Sequence, residues 1–138
     1  MTRTTFTTDQ LQDLMPLCGH LGIELSEAAP DRVVGRLPWR EPLTTMGGAM
    51  HGGALMALAD SIGGVCAFLN LPEGARTSTT ASSTVFVRGL GEGAVTATSR
   101  PLHVGRSTIA VLTELTDHTG RLLAQTTQSQ AVLASPGV

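Results

Sequence analysis

Asp60 is the only formally charged side chain between Pro42 and Pro72, and it stands nine positions after His51 in the stretch HGGALMALADSIGGVCAF, residues 51–68. A lone carboxylate in apolar surroundings is a candidate base or nucleophile. A histidine followed by Gly52 and Gly53 at a helix start is a candidate oxyanion site. The first N–H groups of a helix have no partner inside it, the dipole places partial positive charge there, and two glycines let a ligand approach that backbone unobstructed. At ~1.5 Å per residue Asp60 lies ~12 to 13 Å along the same axis, too far to act at its own helix N-terminus. In a twofold dimer with antiparallel central helices, Asp60 of one protomer would meet His51 and Gly52 of its partner, giving two composite sites. Each residue also has a structural reading: Asp60 as a hydrogen-bonded acid at an interface, His51 as a helix cap, the glycines as points of close packing. The combination is more specific than any one of them.

The elements that must position these groups follow from pattern. Thr8 to Gly19 has Leu11, Leu14 and Met15 at helical spacing, and Pro16 should end or kink this short helix at about Met15. GIELSEA and RVVGRLPW, separated by a Pro-Asp turn signal, read as a β-hairpin. The run from His51 to Phe68 is apolar nearly all round the helical wheel, so its helix must be enclosed on most sides. Beyond Thr77 the chain is β-rich, with strands expected at Val85 to Val87, Val95 to Thr98, Ser107 to Thr116 and Leu122 to Leu133. Two strands, a buried helix and about four further strands make an α+β fold, a curved antiparallel sheet around one helix. An enclosed Asp60 then needs N–H or hydroxyl donors to keep its charge.

Length and composition exclude other classes. With 138 residues, 41% hydrophobic and 14% charged, and a net charge of -2, the chain reads as one domain, 1-138, with frayed first residues. Scattered arginines, one Trp, three Phe and no Tyr leave neither a basic stripe nor a stacking platform, so no nucleic-acid partner is expected. Cys18 and Cys66 lack metal or redox spacing, and with no signal peptide this points to a reducing cytoplasm. The four histidines show no ligand spacing, so no metal and no cofactor are expected. Gly52 to Leu69 is almost long enough to span a bilayer, but Asp60 at its midpoint, four glycines and absent flanking anchors argue against a membrane span.

HLGIEL, MHGGALMALAD, FVRGLGEG and GRSTIAVLTELTDHTGRLLAQTTQSQAVL together resemble the PaaI-type acyl-CoA thioesterases of the hotdog fold, from about Leu14 to Leu133. The resemblance implies a helix wrapped by an antiparallel sheet, dimers with a continuous sheet, and commonly tetramers as dimers of dimers. It implies that Gly52 donates its N–H to the thioester oxygen, that His51 shapes or polarises that site, and that Asp60 arrives from the neighbouring subunit as nucleophile or general base. Thr79, or Ser78, would position water. Where many relatives carry Asn six residues before the histidine, this chain has Thr45, which has one donor where an amide has two. Arg88 and Arg106 fall where coenzyme A phosphates are held, and both also read as solvated surface arginines. Gly53, Met46, Met50, Phe68 and Phe86 are candidates for the acyl end, and core packing is the competing role for the larger four.

The implied activity is hydrolysis of a small or aromatic acyl-CoA, with coenzyme A entering only as part of the substrate. Two alternatives stand beside it. A module that binds acyl-CoA without cutting it is favoured by Thr45 and opposed by Asp60. A hotdog hydratase or dehydratase is disfavoured, because its acid and histidine usually stand about five residues apart.

Overall fold

A computed structural model describes residues 6–134; the frayed start expected at residues 1–5 lies outside them. The elements are helices α1 (Thr8–Leu14) and α2 (Pro16–Leu21), strands β1 (Glu24–Ala29) and β2 (Arg32–Pro38), helix α3 (Gly52–Phe68), and strands β3 (Arg76–Phe86), β4 (Ala94–Val104), β5 (Thr108–Thr116) and β6 (Leu122–Leu133). All six strands form one antiparallel sheet in the order β1-β2-β4-β5-β6-β3. The sheet curls around α3, which makes this α+β chain a hotdog fold.

Helix α3 is buried because its sequence has almost no polar face. Leu55, Leu58, Ala59, Ile62, Val65 and Cys66 all enter the core, together with Val33, Leu37, Val95, Ile109, Val111 and Leu115 from the sheet. Each fully buried Leu or Ile contributes ~1.5–3 kcal/mol. Gly35 sets how deeply the helix sits: any Cβ there would collide with the Ile62 side chain, so β2 can meet α3 only through a glycine.

The amino-terminal segment differs from the single helix expected over Thr8 to Gly19. Pro16 does stop the first helix, since Met15 takes up φ -125 and ψ 86 ahead of it, but the proline also begins α2 as its first residue. Thr7 and Gln10 form a capping box on α1. Hydrogen bonds between Thr8 and Leu25 (2.9 Å) and from Gln12 Nε2 to Ile23 O (3.0 Å) pin α1 along β1.

The other corrections concern β3 and β4. For β3 only Val85 to Val87 was expected from β-propensity, whereas the strand runs eleven residues, Arg76–Phe86, and stops before Val87; β4, expected at Val95 to Thr98, continues to Val104. Strand β3 is the more unusual. It is a sheet edge, pairing with β6 alone, and its side chains are mostly exposed. A β-bulge at Thr80 interrupts that pairing between Thr79 and Ala81.

Candidate active site

The start of α3 explains both glycines after His51. His51 is the N-cap, and its Nδ1 accepts the Gly53 N–H at 2.8 Å, which puts the ring proton of the neutral form on Nε2. A Cβ on Gly53 would lie 2.9 Å from that nitrogen, so the cap requires glycine. Gly53's N–H is therefore spent inside the chain, while the residue itself stays exposed at the helix start. The Gly52 N–H has no partner among the described residues, and a Cβ there would stand 3.2 Å from Cε1 and Cζ of Phe86. One free, dipole-enhanced N–H next to a half-exposed aromatic ring is what the helix start offers.

Asp60 forms a second centre. It is exposed in the single chain, not enclosed as the sequence suggested, and it lies at the lip of a groove of about 340 Å³. Gly64, Val65, Phe68, Thr77, Ser78 and Thr79 also line that groove. Thr79 donates its hydroxyl proton to Asp60 Oδ1 at 3.0 Å, and Gln128 donates its Nε2–H to the same oxygen at 3.1 Å. Gln130 Nε2 in turn donates to Thr79 Oγ1 at 2.8 Å. Thr77 and Thr79 share the inward face by strand alternation, and the bulge at Thr80 switches that parity, so that Thr84 and Phe86 face inward beyond it.

Neither glutamine was anticipated. The alternation in Gln128-Ser129-Gln130 was the available signal: on an inward-facing strand it buries both amides, which are 3% and 1% exposed. Gln128 lies so close to α3 that any Cβ on Gly63 would strike its Oε1, and this buried oxygen has no hydrogen-bond partner. Leaving it so costs about 1–3 kcal/mol.

The remaining candidates are spread more widely. Arg88 follows β3 at the Phe86 end and donates to Leu122 O (2.9 Å), while Arg106 sits exposed in the β4–β5 turn, at the end of the sheet that carries Thr77 and Thr79. Thr45 is exposed in the loop before α3, and its N–H is tied to Ala49 O (2.8 Å). Met46 projects fully into solvent. Met50 is buried and packs in the core. Cys18 and Cys66 are buried free thiols, and burial pushes Cys66 up to about 12 and raises Cys18 as well. Among the described residues no group of His, Cys, Asp or Glu converges as a metal site, and no helix is long and apolar enough to cross a membrane.

Comparison with known proteins gives a consistent picture. Residues 47–124 match the family described as the thioesterase superfamily. The chain is 34% identical over 114 residues to the candidate esterase Rv1847 of Mycobacterium tuberculosis, covering 80% of this chain and 81% of that protein. It is 30% identical over 117 residues to the proofreading thioesterase EntH of Cronobacter turicensis, covering 85% of each. The crystal structure of the Haemophilus influenzae thioesterase HI1161 superposes with a TM-score of 0.87 at 27% identity, over 95% of this chain and 93% of that one.

Proposed function

Because the chain belongs to the thioesterase superfamily, we propose that it hydrolyses the thioester of a small or aromatic acyl-CoA, at sites shared between two protomers. The observation that carries this reading is the pair of groups tied to the two ends of one edge strand. Thr79 of β3 holds Asp60, and Phe86 of β3 lies against Gly52. If two β3 edges pair antiparallel about a twofold axis at Ser83, Ala81 falls opposite Val85 and, with Thr80 bulged out, Thr79 of one chain falls opposite Phe86 of the other. Asp60 then approaches the partner's Gly52, and each dimer has two such sites. The long exposed edge of β3 and its exposed Val85, Phe86 and Val87 support this pairing.

In that site the Gly52 N–H receives the negative charge that develops on the thioester oxygen, worth ~3–4 kcal/mol in comparable oxyanion holes. His51 holds the helix start that aims it. Asp60 takes a proton from water while the water oxygen bonds to the acyl carbon. The carbon–sulfur bond then breaks, and coenzyme A leaves as a thiolate that takes up a proton. General-base help of this kind accelerates reactions ~10²- to 10⁴-fold. Arg106 of one chain and Arg88 of the other would flank the composite site and suit the phosphates of coenzyme A.

Binding without hydrolysis is favoured by one observation, the exposed Thr45, whose hydroxyl has no partner among the described residues. One assay separates the readings. With a panel of acyl-CoAs and a thiol-reactive dye, wild type is expected to release free CoA, and Asp60→Asn, which keeps shape and fold, to lose ~10²-fold or more of kcat. Near-normal turnover by Asp60→Asn on every substrate tested would remove this mechanism, and binding without CoA release would establish the other reading.

A further inference from the structure

Every donor that reaches the Asp60 carboxylate reaches the same oxygen. Oδ1 accepts Thr79 Oγ1–H at 3.0 Å and Gln128 Nε2–H at 3.1 Å, and Oδ2 has no donor among the described residues. The sense of these bonds is fixed at the carboxylate, which only accepts. Thr79 therefore gives its one proton to Oδ1, and Gln130 must present Nε2–H to Thr79 Oγ1 (2.8 Å). That turns Gln130 Oε1 toward Thr77 Oγ1 (3.2 Å), whose own hydroxyl also reaches the nearer Ala131 O (2.9 Å). A hydroxyl has two acceptor sites, so with Gln130 on one of them, the other site on the Thr79 oxygen stays open beside the groove. Gln128 is fixed as strictly. Turning its amide over would point Oε1 at a carboxylate oxygen, acceptor against acceptor, so the chain instead keeps Oε1 buried and unpartnered against Gly63. A fold that leaves an acceptor unsatisfied in order to place one N–H on Oδ1 is positioning that carboxylate.

From this geometry we infer that Gln128 and Gln130 are positioning residues that saturate Oδ1 and leave Oδ2 as the reacting oxygen of Asp60. Water in the groove is then held by two acceptors, Oδ2 and the open site on Thr79, one for each of its protons. Its lone pair is free to face the acyl carbon, and the proton lost on attack passes to Oδ2. This rests on the hydrolytic reading of the site.

The test is a double-mutant cycle on an acyl-CoA that the wild type hydrolyses. Gln130→Met and Thr79→Val each remove one member of the chain while keeping its approximate size. Each is expected to lower kcat about tenfold or more with KM within about twofold, and the double variant to fall no further than Thr79→Val alone, because Gln130 acts through Thr79. Thr79→Ser, which keeps the hydroxyl, should retain most of the activity. Gln128→Met, measured alongside, removes the other donor; its loss should multiply with that of Thr79→Val, and it keeps the question answerable if Gln130→Met melts early. Multiplicative losses in the Gln130/Thr79 pair, or unchanged kcat in both glutamine variants, would overturn the inference while leaving hydrolysis intact. A wild type that cuts no thioester would overturn the hydrolytic reading and this inference with it.

Discussion

Gly52 and Gly53 are neighbours with separate physical reasons, and a single substitution can tell them apart. Gly53 makes room for the imidazole that caps the helix, whereas Gly52 carries the free N–H. Proline suits the first helical position because it needs no donor there, and His51 before it is already extended at φ -61, ψ 134. Gly52→Pro should therefore fold and deplete kcat ~10²- to 10³-fold by removing the oxyanion donor. Gly52→Ala crowds Phe86 equally but keeps the N–H, so steady-state kinetics of the two variants separate donor loss from crowding; equal losses would assign the effect to the ring. At this scale the sequence singled out residues with unusual chemistry in unusual company, His51, Gly52 and Asp60, while Thr79, with Ser78 beside it, came only from the family resemblance. It hid Gln128 and Gln130, since a glutamine in a β-strand is ordinary until a helix acid 68 positions away is found at its tip.

Elements were legible to the degree that one period dominated them. Helix α3, the β1–β2 hairpin, β5 and β6 follow directly from apolar patterning. Most of β3 does not: RTSTTASSTVF carries few large apolar side chains, because its strand lies at the sheet edge and leaves most of them exposed. The β5–β6 turn is DHTGR, residues 117–121, and its hydrogen bonds give it a measurable pH response. Asp117 Oδ1 accepts from Thr119 Oγ1 (2.7 Å), Thr119 N (2.8 Å) and Arg121 N (3.0 Å). These donors, the Thr119 hydroxyl foremost, hold the carboxyl at about 2, below its usual 3.8. A depressed carboxyl stabilises its turn above the unfolded value and loses that contribution as pH falls through the folded one. Amide exchange at Thr119 and Arg121 should thus stay slow at pH 5 and quicken, relative to the intrinsic rate, between about pH 4 and 2. Protection that is unchanged down to pH 2 would show that the carboxylate does not hold the turn.

At the scale of the whole molecule, the proposed reaction needs two groups that one chain keeps apart. Gly52 and Asp60 lie ~12 Å apart on a rigid helix, and no side-chain rotation closes that distance. The strand that touches both also ends the sheet, so the feature that leaves an edge unpaired is the feature that would bring the two groups together. Family resemblance is what implied the proposed arrangement, and residue spacing alone required only that the acid act elsewhere than on its own helix start. The preferred acyl group is the least legible property, because the groove beside Asp60 brings together the amino-terminal segment, α3, β3 and β6, which are distant in sequence. Co-expressing Asp60→Asn and Gly52→Pro chains with different tags, and purifying the doubly tagged dimers, tests sharing directly. Neither parent should hydrolyse acyl-CoA at a useful rate, while each mixed dimer contains one site with both native groups and should recover about half the wild-type activity per dimer. Mixed dimers as inactive as their parents would contradict a site built from two protomers.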